Sequence, residues 1–236
     1  MSDTQLDLLE QKACVPVPVS RNGFNSRAII PHGCTTDHIY QAMMEYISFL
    51  QFVNEQLHTK GLVRLESLLM PANFSSVVSE FMNISIPKYC SGLVKNMYHN
   101  GHPDLLPAGY FSEDAAQYAH EGIEIKASRY LKGWQGHNAE ESWLMVFVFD
   151  SNRPSDPKKG VKPRPFRFIK VVGAALTQND WKFSGRSAES RRTITASVTE
   201  SGYAKMEANW IYKAADMNEQ QPDIPDDDEE GDSTLC

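Results

Sequence analysis

Gly122-Ile-Glu-Ile-Lys-Ala127 alternates apolar and charged side chains. A strand sends successive side chains to opposite faces, so Ile123 and Ile125 enter a core while Glu124 and Lys126 project together from the other face. Upstream, Gly101-His-Pro-Asp-Leu-Leu-Pro107 and the Gly109-Tyr110-Phe111 turn signal predict a strand over 104–111. A hairpin of the two brings Asp104 beside Glu124. Downstream, Trp143 to Phe149 is an unbroken apolar run of strand length, rich in Val and aromatics, which predicts a central strand covered on both faces.

On either side the periodicity changes. Residues 1–34 read as an arm, with Val15-Pro-Val-Pro-Val19 extended, because alternate prolines rule out a helix. Thr35, Thr36 and Asp37 are good caps, and Ile39, Met43, Tyr46, Ile47, Leu50, Val53 and Leu57 form a helical stripe that ends at Gly61. Shorter helices are expected over 62–70, stopped by Pro71, and over 74–82. Later strands are expected over 166–176, 193–198 and 209–212, with a short helix over 200–206. The fold class is therefore α/β, a mixed central β-sheet flanked by helices with a helical amino-terminal part. One domain spans 35–215, and 216–236 reads as a disordered acidic tail.

The longest apolar runs fall short of a membrane span, and the start lacks the basic and apolar regions of a signal peptide, which predicts a protein with no membrane partner and a cytoplasmic location. Cys14, Cys34, Cys90 and Cys236 are too scattered for a disulfide framework or a compact cysteine-based zinc site. The net charge of −7 comes from the tail. Seven of the 30 acidic residues lie from Asp223 onward, which leaves 23 against 23 Lys and Arg. Between Arg153 and Arg192, eleven basic residues meet three acidic ones, and a polyanion is the natural partner of such a surplus. No Gly-rich phosphate loop, dinucleotide fingerprint or Gly-x-Ser-x-Gly elbow occurs, which sets aside nucleotide-driven and serine-hydrolase chemistry.

Two carboxylates on a sheet edge with a lysine two residues after the second meet the needs of metal-dependent phosphodiester hydrolysis. Asp104, Glu124 and the Ile125 backbone carbonyl offer the oxygen ligands that one or two Mg²⁺ prefer, with Mn²⁺ able to substitute. Lys126 then orients the attacking water or offsets charge on the phosphate.

Pro103-Asp104 followed by Glu124-Ile125-Lys126 resembles the signature of the PD-(D/E)xK nuclease superfamily, the restriction-endonuclease-like fold. The helix before the hairpin and the apolar strand after it follow that superfamily's α-β-β-β-α-β order, over roughly residues 35–176. The resemblance implies a restriction-endonuclease-like core and a Mg²⁺-dependent DNA endonuclease, of restriction type or a related prokaryotic defence nuclease. Asp104, Glu124 and Lys126 are then catalytic, and a homodimer is the usual assembly. A structure-specific or repair nuclease, or a non-cutting nucleic-acid-binding subunit of a larger defence complex, remains open. In the family an extra acid sometimes comes from the preceding helix; Glu45 and Glu55 are the candidates here.

Lys132-Gly-Trp-Gln-Gly-His-Asn138 adds Gln135 and His137 as candidates for base or phosphate contacts at the rim of the site, the alternative being a glycine loop with Trp134 on the core. Lys170, Arg186, Arg191 and Arg192 are candidate nucleic-acid contacts within the basic stretch. His99, His102 and the His32/Cys34/His38 group read as ordinary histidines and thiols rather than metal ligands.

Overall fold

The computed structural model describes residues 3–136, 139, 141–183 and 196–215. Helix α1 (Asp3–Ala13) opens the chain, where the sequence predicts only an arm. Residues 16–19 form neither helix nor strand, and Val17 N–H reaches Phe166 O at 2.8 Å, so this segment is stitched to the body. Helix α2 (Thr36–Thr59) begins at a capping box in which the Thr35 side chain accepts from His38 N–H and the His38 ring accepts from Thr35 N–H. Its stripe is buried from Ile39 to Leu50.

A single turn, α3 (Leu65–Leu68), precedes α4 (Pro71–Tyr89). Pro71 therefore starts a helix rather than stopping one. At the first helical position the missing N–H has no intrahelical partner to lose, and the fixed φ suits the turn. The expected helix over 74–82 is the middle of this longer one.

Strands β1 (Leu93–Lys95), β2 (Leu105–Pro107), β3 (Ile123–Ser128), β5 (Trp143–Asp150), β6 (Arg167–Ala175) and β9 (Trp210–Lys213) form one mixed sheet in the order β1-β2-β3-β5-β6-β9. Only β3 and β5 pair in parallel, so β2 and β6 run against the other four. β4 (Gln135–Gly136), β7 (Trp181–Phe183) and β8 (Ala196–Val198) form a second, three-stranded sheet in the order β4-β8-β7, and α5 (Glu200–Ala208) follows β8.

Alternation along the strands divides the interior in two. Ile123 and Ile125 join Met145, Phe147, Phe149, Phe166 and Phe168 in a core beneath α2 and α4, which supply Met43, Tyr46, Phe74 and Met82. The opposite side of the sheet packs Leu144, Val146 and Val148 against Trp134, just before β4, and against Trp181, Ala196 and Met206, from the small sheet and α5. Every residue of β5 from Leu144 to Phe149 is buried, which makes β5 the central strand that its composition implies. Burying each such large apolar side chain stabilises the fold by about 1.5–3 kcal/mol.

The α4–β1–β2–β3 order agrees with the first four elements of the expected α-β-β-β-α-β sequence. The fifth does not. Among the described residues between β3 and β5 there is the short strand β4 and no helix. Gly133 at φ 76° and Gly136 within β4 explain this, since glycine is a poor helix former and the left-handed residue turns the chain toward the second sheet.

Candidate active site

Asp104 stands at the point where the β2–β3 ladder stops. Leu105 pairs with Ile123, and one step on, the Asp104 carboxylate takes the Ile125 N–H at 2.9 Å. In a strand, a residue's N–H and C=O leave by the same edge, so the Ile125 carbonyl faces the side on which this carboxylate lies. The Asp104 N–H donates to Glu124 Oε2 at 3.3 Å.

Glu124 and Lys126 do project together, with Lys126 Nζ 3.0 Å from Glu124 Oε1. They share their face of the sheet with Leu144 and Val146, their partners in register. The other Glu124 oxygen lies 3.1 Å from His102 Nδ1, and the His102 ring stacks on Tyr118 at 5.5 Å between centroids. The Glu124 and Lys126 side chains are 12 % and 20 % exposed, so the cluster is sheltered yet open to a ligand from solvent.

Two features hold this geometry. Gly122 has φ 132°, and a Cβ there would come within 2.2 Å of Leu105 O, so only glycine lets β2 approach β3 this closely. Asn96, just after β1, donates its side-chain amide to Pro103 O at 3.0 Å and Ala116 O at 2.8 Å, while its Oδ1 accepts from Ala116 N–H and Tyr98 N–H. That clamp fixes the residue before Asp104.

Electrostatics separate the two acids. Burial, and then the adjacent Glu124 charge, push the Asp104 carboxyl up to about 7. Burial opposes Glu124 ionisation too, but Lys126 and His102 outweigh it and bring this carboxyl down to about 2. At neutral pH, Glu124 is charged and Asp104 is poised to gain or lose a proton. A further acid acts here that sequence reasoning missed. Glu80 on α4 raises Asp104 by its charge and is itself paired with Lys95 on β1 at 3.0 Å. Its signal in the sequence was its place on the helix preceding the hairpin, hidden by the expectation that two short helices would occupy 62–82.

The other candidates are distributed differently. Glu45 is engaged by Lys88, at 2.5 Å, and by the Ser85 hydroxyl, in a link between α2 and α4. Gln135 is exposed on β4, opposite Ser197 of β8, and Trp134 beside it is buried with its indole N–H on Tyr130 O at 2.9 Å. Lys170 is corrected as a nucleic-acid contact. It is 2 % exposed, ion-paired with Glu207 and adjacent to the Trp134 and Tyr203 rings, so a phosphate could reach it only by breaking that packing. Arg153 is buried and Arg164 is bound to Asp150, which removes part of the basic surplus from the surface. His137, Arg186, Arg191 and Arg192 lie outside the described residues, as does the acidic tail.

Asp104, Glu124 and the Ile125 carbonyl make a hard oxygen set. Among the described residues, the group of three His, Cys, Asp or Glu whose ligand atoms all lie within 4.8 Å of one another is a different one, Cys34, His38 and Cys90. The acidic site still suits Mg²⁺, which keeps several waters and is commonly held by one or two carboxylates together with substrate phosphate. The chain matches no family model, no curated protein and no solved structure. No helix among the described residues is long and apolar enough to cross a membrane.

Proposed function

We propose that this chain is a Mg²⁺-dependent endonuclease that hydrolyses DNA phosphodiester bonds, with a restriction-endonuclease-like core, acting as a homodimer. The observation that carries the reading is the convergence of Asp104, Glu124 and Lys126 at the end of the β2–β3 ladder. The sheet supports it as well. Its strands run β1-β2-β3-β5-β6 with the second and fifth reversed, and the β3 face that bears Glu124 and Lys126 is the one turned away from α2 and α4. That no helix lies between β3 and β5 among the described residues is a departure from the family's order.

Asp104, Glu124 and the Ile125 carbonyl would hold the metal ion, which when bound supplies a water of lowered pKa and neutralises phosphate charge. Glu124, ionised through its contacts with Lys126 and His102, provides the permanent negative charge. Asp104, poised near neutral pH, would bind the cation in its ionised form. Lys126, on the same face as Glu124, would orient the attacking water or face the phosphate.

A second reading, a nucleic-acid-binding subunit that does not cut, is favoured by one observation: both Glu124 oxygens are engaged, by Lys126 and His102. Incubation of plasmid DNA with the purified chain and Mg²⁺ separates the two. Metal-dependent cutting that falls roughly 100-fold or more in Lys126→Ala and Asp104→Ala supports the enzyme. DNA binding without cutting, unchanged in both variants, overturns it in favour of the binding subunit.

A further inference from the structure

Cys34 and His38 are close in sequence, but Cys90 is remote from both, and in the sequence all three read as ordinary thiols and a histidine. In the fold they meet. Cys34 directly precedes the Thr35 cap of α2, His38 stands one turn into that helix, and Cys90 is the residue at which α4 ends. Their ligand atoms all lie within 4.8 Å of one another. The two thiols are 5 % and 1 % exposed, while His38 is half-buried and opens the group on one side.

We propose that Cys34, His38 and Cys90 form a binding site for a soft divalent transition metal, zinc foremost, with the fourth position open to solvent on the His38 side. Two thiolates and an imidazole are the ligand types that select zinc over magnesium, so this site and the carboxylate site would take different ions. Burial raises the Cys34 thiol well above its ordinary range, and the proximity of Cys90 raises it further. The sulfurs reach backbone oxygens only at long range, Cys34 to Thr35 O at 4.0 Å and Cys90 to His32 O at 3.8 Å, and they contact each other; a metal would replace these contacts.

The His38 ring ties the metal to the helix start. Its Nδ1 accepts the Thr35 N–H at 3.2 Å. A metal on Nδ1 takes that lone pair, and a metal on Nε2 moves the ring proton to Nδ1; either way the Thr35 N–H bond is given up. In exchange, the start of α2 is fastened to the end of α4. Since β1, Asn96 and then Asp104 follow Cys90 directly, the site would staple the scaffold behind the carboxylates without touching them.

The test is titration of the full-length, fully reduced chain with Co²⁺ and then Zn²⁺. We expect a thiolate-to-cobalt charge-transfer band that saturates at about one metal per chain and is bleached by zinc. The band should be lost in Cys34→Ser and Cys90→Ser, and cobalt affinity should fall more than about 100-fold in His38→Gln. Zinc should also slow alkylation of Cys34 and Cys90 in the unmodified chain without changing that of Cys14, a readout that needs no variant to fold. Absence of stoichiometric uptake, uptake unchanged in Cys90→Ser, or alkylation insensitive to zinc would each overturn the site. Plasmid cleavage is not among these readouts, so failure of the zinc site and failure of the nuclease reading are separable.

Discussion

The backbone N–H of Asp104 donates to the carboxylate of Glu124 at 3.3 Å, while the Asp104 carboxylate itself turns to the Ile125 N–H. Main-chain donors thereby bring the two acids side by side. One consequence is that their charges are unequal at neutral pH.

The inequality sets a pH dependence of stability. The folded state keeps the Asp104 proton up to about 7, against an ordinary 3.8, so between those values the folded chain binds more protons than the unfolded one. Stability therefore falls as pH rises through this window. Glu124 acts oppositely and lower down: its contribution is present above its ordinary 4.5 and is lost only as pH falls toward about 2. Asp104→Asn should melt at a higher temperature than the unmodified chain at pH 8 and at the same temperature near pH 4. Mg²⁺ should raise the midpoint of the unmodified chain at pH 8 and leave the variant unmoved. A variant less stable than its parent at pH 8 would contradict the charge assignment.

Gly122 is the weak point of the scaffold. With φ 132° and Leu105 O 2.2 Å from any added Cβ, Gly122→Ala must push β2 off β3, at about 1–3 kcal/mol. The displaced strand carries Asp104, so cleavage should fall further than the lost stability accounts for, measured well below the melting midpoint. Gly109→Ala is the control. Its φ of 69° carries strain of about 1–2 kcal/mol, but nothing lies within 4 Å of the added methyl, and cleavage should be retained. Equal cleavage by the two variants would mean that the Asp104–Glu124 spacing is immaterial.

Much of this arrangement was legible before any coordinates. The alternation Ile-Glu-Ile-Lys placed Glu124 and Lys126 on one face, and the apolar run of β5 suited a covered central strand. Short range explains that success, because side-chain alternation needs no knowledge of the rest of the chain. The misses concern residues whose role depends on what they meet. Pro71 reads as a terminator until a helix is seen to start there. Lys170 reads as surface charge until Glu207, thirty-seven residues later, is found against it. Cys34 and Cys90 join only because two helix ends meet.

Arg64 illustrates the same dependence on distant partners and allows a stability test. It is 2 % exposed and donates to Glu66 at 2.6 Å, Glu10 at 2.8 Å, Asn152 at 2.8 Å and the Arg164 carbonyl at 2.9 Å. Asn54 holds the second Glu66 oxygen at 2.9 Å. Arg64→Ala strands a buried carboxylate, which should destabilise by about 3–5 kcal/mol in urea titration. Replacing Arg64 and Glu66 together with apolar residues should be less harmful than Arg64→Ala alone. A double variant as unstable as the sum of the singles would show that the ion pair is not what matters.

Glu80 and Lys95 should tune the site from outside it. Glu80 is mostly exposed, yet its charge helps hold the Asp104 proton, and Lys95, 3.0 Å from it, offsets that charge. Glu80→Gln removes the negative charge, lowers the pH at which Asp104 ionises, and should move the acidic limb of the cleavage profile to lower pH. Lys95→Gln leaves Glu80 uncompensated and should move the limb upward. Because the pair is solvated, both displacements should shrink as salt is raised from low to physiological ionic strength. Opposite shifts that fade with salt identify a through-space effect on Asp104. A loss of maximal rate in Glu80→Gln with an unmoved limb would instead make Glu80 a direct ligand, and shifts of the same sign in both variants would remove Asp104 as the group that sets the limb.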